Sequence, residues 1–248
     1  MINKIKKTPR IVIIIPARLK SVRLSTKLLK KIDKIPMIIR VAKNAEKLKI
    51  GRVIVGTDSD KILKLCNEFG IECILTNKNH KSGTDRVHEV YKIINRDYDL
   101  IINLQGDLPL FRKDLFKEMI NLFNDESVDI GSAICDLEDL EIEDKNIVKA
   151  KVILNNSNVG MAIDFCRKIK KNINFYHHIG VYAYRPLILE QFIQLKQTKN
   201  EIERKLEQMR ALDNNYKIKL VKVSYNPPSV DTAKDLQKIR LIFKKNNF

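Results

Sequence analysis

Four apolar runs limit what this chain can fold into: "RIVIIIPA" (10–17), "RVIVGTD" (52–58), "ECILTN" (72–77) and "DLIINLQGD" (99–107). They are rich in β-branched residues and lack the strict alternation of a strand with one wet face. Such runs suit strands buried on both faces, as in a parallel sheet. Helical patterns lie between them. In "PMIIRVAKNAEKLK" (36–49), Pro36 suits a first helical turn, and Met37, Val41, Ala45 and Leu48 share one face. "SDKILKLCNEFG" (59–70) opens on a capping serine and closes on a glycine. Strands and helices alternating at this spacing build right-handed βαβ units. The expected fold is therefore α/β, a Rossmann-like mixed, mostly parallel sheet flanked by helices. Open sheets of this kind bind ligands beyond the carboxyl ends of their strands, so the loops after Ile15, Thr57, Asn77 and Leu104 are where chemistry is expected.

From about residue 129 the text becomes strand-rich, with "DIGSAICDL", "VKAKVIL", "MAIDFC" and "HHIGVYAYR". These segments predict sheet extensions or a lobe over roughly 129–186. Helices are predicted at 201–212 and 232–243. No repeat, linker or low-complexity stretch interrupts the chain, so 1–248 is expected to form a single domain.

The formal net charge is +17. A field of that sign attracts nucleic acid, a membrane surface or a small polyanion such as a nucleotide. The basic residues are spread along the chain, and neither a nucleic-acid motif nor an aromatic-rich RNA surface signature accompanies them. The apolar run before Pro16 is too short for a membrane span or a signal segment. Cys66, Cys73, Cys135 and Cys166 are widely spaced, with no Cys-x-x-Cys pair. They suit apolar filling in a reducing compartment, and a cytoplasmic protein is expected.

Several segments carry candidate chemistry, each with a plainer structural reading beside it. "PARLKSVRLSTK" (16–27) places Arg18, Lys20, Arg23 and Lys27 in one loop after the first strand, where a dinucleotide fold has glycines. It reads either as a solvated basic loop or as a side-chain clamp for a triphosphate. No Gly-x-Gly-x-x-Gly or Walker pattern occurs. "HKSGTDR" (80–86) offers Ser82, Gly83 and Thr84 as a turn and helix cap, which is ordinary structure or a nucleotide contact. Asp107 ends the fourth strand. Asp231 precedes a Thr232–Asp235 capping pattern that leaves it unexplained. Two carboxylates from distant segments suit a hard cation such as Mg2+ together with triphosphate oxygens. His177 and His178 fall on opposite faces of a strand, so one of them at most lines a pocket. In the 201–212 helix, Glu203, Glu207 and Arg210 share a face, either salt-bridged to solvent or reaching a polyhydroxylated ligand.

Taken in order, "IVIIIPARLKSVRL", "VGTD", "HKSGTDR", "IINLQGD", "HHIGVYAYR", "LEQMRAL" and "VDTAKDL" resemble the 3-deoxy-manno-octulosonate (Kdo) cytidylyltransferases over nearly the whole chain. The most discriminating element is the His-x-Ser-Gly-Thr-Asp-Arg segment. The resemblance implies a nucleotide-diphospho-sugar transferase type of fold with a strand-rich dimerisation lobe, and a homodimer. It implies transfer of CMP from CTP to Kdo, giving CMP-Kdo and diphosphate for lipopolysaccharide synthesis, with Mg2+ as cofactor. By the same resemblance, Arg18, Lys27, Asp107 and Asp231 are the catalytic set, and Asp107 and Asp231 hold the metal. Ala17, Arg18, Arg23, Lys27, Ser82, Gly83 and Gln105 would bind CTP. Arg167, His178, Tyr182, Glu207 and Gln208 would bind the sugar acid, with Arg167 facing its carboxylate.

The chain departs from the family pattern at four places. It has "STKL" (25–28) for Pro-Gly-Lys-Pro, "DK" (33–34) for Asn-Gly, Arg204 at a usually acidic helix position, and Leu108 where relatives carry Glu. These departures leave room for another acceptor, an 8-amino Kdo or a different nonulosonic or sialic-type acid. A basic nucleic-acid-binding module and a degenerate nucleotide-binding protein are the non-enzyme alternatives.

Overall fold

The computed structural model describes residues 9–19, 24–169 and 172–246. The described residues divide into two compact units, one built on residues 10–112 with 227–246, the other on Lys113–Asn226.

The first unit carries strand β1 (Ile11–Ala17), a small hairpin of β2 (Lys31–Ile32) and β3 (Ile35–Pro36), and helix α1 (Met37–Lys47). Then come β4 (Arg52–Thr57), α2 (Asp60–Glu68), β5 (Cys73–Leu75), α3 (Gly83–Ile94) and β6 (Leu100–Asn103). Its strands run in the order β5-β4-β1-β6, and every neighbouring pair is parallel. The β-branched run explains the central place of β1. Ile13 lies between Val53 on one side and Ile102 on the other, and Val12 through Ile15 are fully buried. Burying each such side chain contributes about 1.5–3 kcal/mol, which is why an unbroken apolar run goes to the middle of the sheet. The predicted face of α1 is buried at Met37, Val41, Ala45 and Leu48, and so are Ile38 and Ile39, so the helix is covered on more than one side.

The second unit begins with α4 (Lys113–Asn121), β7 (Ile130–Cys135), α5 (Asp139–Ile142), β8 (Lys149–Val152), β9 (Val159–Cys166) and β10 (Phe175–Tyr184). Helices α6 (Pro186–Gln194), α7 (Lys199–Arg204) and α8 (Gln208–Asp213) and strand β11 (Ile218–Lys222) complete it. The strand order is β10-β7-β11-β9-β8, and β8 also pairs with β10, so the strands close on themselves. Only the β11–β7 ladder in this unit is parallel. A final helix, α9 (Ala233–Asn246), returns to the first unit.

The single helix expected over 201–212 is two helices. A capping box between Thr198 and Glu201 starts α7, and Lys205 ends it in the left-handed conformation with φ 54°. The break lets the chain fold back, so Arg210 meets Glu201 in a buried bidentate pair at 2.5 and 2.8 Å. Glu203 consequently stands 3.8 Å from Lys199, one helical turn away, instead of sharing a face with Arg210. Strands β2, β3 and β11 and helices α4, α5 and α6 lie outside the segments expected from sequence.

Candidate active site

The carboxyl ends of β1, β4 and β6 gather the candidate residues of the first unit. Ala17 is the last residue of β1 and fully buried. Ser82 caps α3 by accepting the Asp85 N–H at 3.0 Å, while the Asp85 carboxylate accepts the Ser82 N–H at 2.9 Å. The expected turn and cap are therefore present as a full capping box. A Cβ added at Gly83 would lie 3.4 Å from the Pro16 ring, so the start of α3 sits against the end of β1. Gln105, after β6, donates to Asn103 Oδ1 at 3.2 Å, and Asn103 donates to the buried Thr84 hydroxyl at 3.5 Å. Asn103 was not singled out from sequence. It is a short polar residue at the end of an apolar run, and only the pairing of β6 with β1 brings it beside the loop.

Three charged candidates of the first unit meet in one cluster. Lys27 Nζ donates to Asp107 Oδ2 at 2.6 Å and to Asp231 Oδ1 at 3.0 Å. The Lys27 side chain is 12% exposed and the carboxylates 27% and 28%. Burial works against the ammonium, but the charge and hydrogen bonds of Asp107 and then Asp231 outweigh it, and the pKa of Lys27 is raised above 10.5. Three local devices build the cluster. Lys27 opens a 3-10 turn, Lys27–Leu29. Asp107 leaves β6 through Gly106, where a Cβ would come within 3.3 Å of both Leu28 and Ile38, so a side chain there would crowd the turn that carries Lys27. Asp231 is delivered by the bond from Val230 N–H to Asp107 O at 2.9 Å, and its own N–H donates to Asp235, the carboxylate of the expected Thr232–Asp235 cap.

Asp107 and Asp231 thus converge on one point, at Lys27 Nζ, with hard oxygen donors. Among the described residues no group of three or more His, Cys, Asp or Glu is arranged to hold a metal ion. Two carboxylates fit a hard dication that takes its remaining ligands from phosphate oxygens and water. Leu108, where the sequence departs from its relatives, is 5% exposed and belongs to the core.

Arg18 has a buried Nη2 without a hydrogen-bond partner. Arg23 lies outside the described residues.

The sugar-side candidates all fall in the second unit. His178 and Tyr182 lie on β10, with ring centroids 5.4 Å apart, and Phe165 packs edge-on to His178 at 5.0 Å. Ser132 Oγ stands 3.0 Å from His178 Nε2 and donates to Val181 O at 2.8 Å. With the hydroxyl proton directed to that carbonyl, His178 Nε2 carries the proton it shares with Ser132. Burial, and then the neighbouring His177, push His178 down to about 3, so its ring is neutral at pH 7. Burial also raises the Tyr182 phenol well above its usual value, with further contributions from Tyr184 and Glu207. Glu207 lies 3.7 Å from Arg210, and the adjacent Gln208 is buried at the start of α8.

His178, Tyr182, Glu207 and Gln208 therefore form one neighbourhood. Arg167 does not join it. Its guanidinium donates to the carbonyls of Lys145 and Asn146, both at 3.0 Å. Arg204, at the usually acidic position, pairs with Asp164 at 2.5 Å and donates to Phe165 O.

A family model described as Cytidylyltransferase matches residues 12–218. The chain is 41% identical over 239 residues to the 3-deoxy-manno-octulosonate cytidylyltransferase of Bartonella tribocorum, covering 93% of this chain and 97% of the relative. It is 38% identical over 243 residues to the protein of the same name from Francisella tularensis subsp. novicida, with the same coverage. Among solved structures it matches CMP:2-keto-3-deoxy-manno-octonic acid synthetase complexed with CTP, with TM-score 0.85 and 31% identity over 95% of this chain and 99% of that one. The 4-diphosphocytidyl-2C-methyl-D-erythritol synthase of Anaerococcus prevotii shares the fold, with TM-score 0.66 at 12% identity over 96% of this chain and the whole of that one.

Proposed function

The chain belongs to the cytidylyltransferase family, and from that premise we infer that it transfers CMP from CTP to the anomeric hydroxyl of Kdo, giving CMP-Kdo and diphosphate for lipopolysaccharide synthesis. The observation that carries this reading is near-complete coverage by relatives of that one activity, 93% of this chain and 97% of the relative. It is joined by a match to a synthetase structure complexed with CTP.

In the reaction the sugar oxygen forms a bond to the α-phosphorus, the bond from that phosphorus to the diphosphate oxygen breaks, and the hydroxyl loses its proton. Catalysis of such a transfer rests on positioning and charge. We assign Arg18, Arg23 and Lys27 to the triphosphate. Arg18 brings an unmet, buried N–H. Lys27 stays cationic because its two carboxylate partners raise its pKa. Ala17, the Ser82–Gly83 turn and Gln105 are assigned to the cytidine. Asp107 and Asp231 would hold a divalent cation, assigned as Mg2+, which when bound neutralises charge at the α-phosphate. With the two carboxylates holding such a cation, Lys27 Nζ would have its hydrogen bonds to give to the phosphates.

Tyr182, His178, Glu207 and Gln208 are assigned to the sugar. Arg167 is assigned to its carboxylate, for which it would exchange its two backbone carbonyls. The strand-rich second unit is the proposed dimerisation lobe, and 1–248 is proposed to act as a single cytidylyltransferase domain. Exposed Ile153, Met161, Ile163 and Ile173 in that unit support a homodimer built on it. Use of CTP and four free cysteines support a cytoplasmic setting. Among the described residues no helix is long and apolar enough to cross a membrane.

The test is diphosphate release from CTP with Mg2+ and either Kdo or its 8-amino analogue. Release with Kdo supports the reading. Release with the analogue alone moves the substrate to the modified sugar, and no release with either overturns it.

A further inference from the structure

Two motifs of the sequence, "VGTD" (55–58) and "HKSGTDR" (80–86), end in charged residues that the proposed mechanism does not use, Asp58 and Arg86. Asp58 follows the carboxyl end of β4, and Arg86 lies in the first half of α3. Arg86 is fully buried. Its Nη2 donates to Asp58 Oδ2 at 2.9 Å, and its Nη1 donates to the Thr76 hydroxyl, which in turn donates to Thr57 O at 2.9 Å. The guanidinium is thereby fixed directly to Asp58 and Thr76, and through the Thr76 hydroxyl to Thr57 at the end of β4. The other oxygen of Asp58 reaches the first loop, where Oδ1 accepts the Leu19 N–H at 3.3 Å. Leu19 adjoins Arg18. A carboxylate bound on one side to a rigid, buried fork and on the other to a loop amide holds that loop in place.

Charge points the same way. Burial lowers the proton affinity of Arg86, Asp58 and, more weakly, Glu89 counter this, and the nearby Arg18 lowers it further, so the Arg18 guanidinium stands close enough for the two cations to repel. Arg18 Nη2 and Arg86 Nε are both buried with no hydrogen-bond partner. Two buried donors left unmet in one place suit an acceptor-rich group such as a phosphate, and Arg18 is the member on the loop.

We propose that Asp58 and Arg86 are a positioning pair for CTP: Arg86 fixes Asp58, Asp58 anchors the loop at the Leu19 amide, and Arg18 is thereby held where the triphosphate binds. The pair touches the loop that binds CTP and not the nucleotide itself. It therefore acts on nucleotide affinity and leaves the acceptor's affinity alone. This rests on the cytidylyltransferase reading above.

The experiment measures CTP binding to the full chain by calorimetry with Mg2+, and the KM for CTP and for Kdo by diphosphate release. In Asp58→Asn the dissociation constant and KM for CTP are expected to rise about tenfold, the scale of one lost charge-assisted contact, with KM for Kdo unchanged. Asp58→Asn leaves Arg86 as a lone buried charge and can fail to fold. The double variant Asp58→Asn with Arg86→Gln removes both charges, keeps similar volume, and carries the test in that case. Because the two residues act as one unit, the double variant is expected to lose no more CTP affinity than the single. Wild-type affinity for CTP in a folded double variant overturns the proposal. A parallel rise of both KM values with a fall in melting temperature also overturns it, in favour of a purely structural pair. Failure of the wild-type chain to bind CTP at all refutes the cytidylyltransferase reading, and the proposal with it.

Discussion

Acid should destabilise this protein through His178 in a way that one substitution can isolate. The ring is buried between Phe165 and Tyr182, shares its Nε2 proton with Ser132, and is held near pKa 3 against an ordinary 6.5 by burial and then by His177. Because the folded value lies below the unfolded one, the unfolded chain takes up a proton below pH 6.5 that the folded chain refuses. Stability therefore falls as pH drops from 6.5 toward 3 and is flat above this window. The full cost is about 5 kcal/mol, of which about 2 kcal/mol has accrued at pH 5. His178→Gln keeps an N–H able to reach Ser132 and cannot titrate. Urea unfolding of both proteins between pH 7.5 and pH 5 gives the difference, in which the carboxylates common to both cancel. Wild type is expected to lose about 2 kcal/mol relative to the variant by pH 5. Parallel curves would show that the imidazole titrates alike in both states. Wild type gaining on the variant in acid would mean a protonated ring in the folded protein, and either result refutes the reasoning.

Asp107→Asn and Asp231→Asn should each abolish diphosphate release while near-wild-type circular dichroism persists, since each leaves one carboxylate on Lys27. Wild-type turnover in either removes that residue from the proposed metal pair. Chelation with EDTA should stop diphosphate release and added Mg2+ restore it, whereas activity that survives exhaustive chelation excludes the dication. Glu201→Gln removes the charge of the buried bidentate partner of Arg210, leaving it Glu207 at 3.7 Å, and should cost about 3–5 kcal/mol in urea unfolding, the scale of breaking a buried ion pair. A loss below about 1 kcal/mol would mean that the pair behaves like a solvated surface bridge.

Much of the first unit was legible in the text because its determinants are local. Runs of Ile and Val, with glycine and proline at their ends, specify strands buried on both faces, and those runs became β1, β4, β5 and β6. The caps at Ser82 and at Thr232–Asp235 were equally readable, because each is satisfied within four residues. The broken helix at 201–212 was not. Its apolar spacing is helical throughout, and the break at Lys205 is stabilised by the contact of Arg210 with Glu201, which a periodicity cannot show. Strand β11 was missed because "IKLVK" is short and basic and becomes a strand only by pairing with β7 on one side and β9 on the other.

By itself, then, the order of residues determined the class of the fold, the strand ends proposed to bind the ligands, and the candidates Arg18, Lys27, Asp107 and Asp231. Each of those depends on periodicity or on a residue's place after a run. Tertiary structure alone decided that Lys27 stands between Asp107 and Asp231, which are 80 and 204 residues away in the chain. It also decided that Asp58 ties a buried Arg86 to the first loop. The physical reason is the same in both cases. A charge is tuned by whatever surrounds it within a few ångströms, and those neighbours come from strands that become adjacent only when the sheet forms.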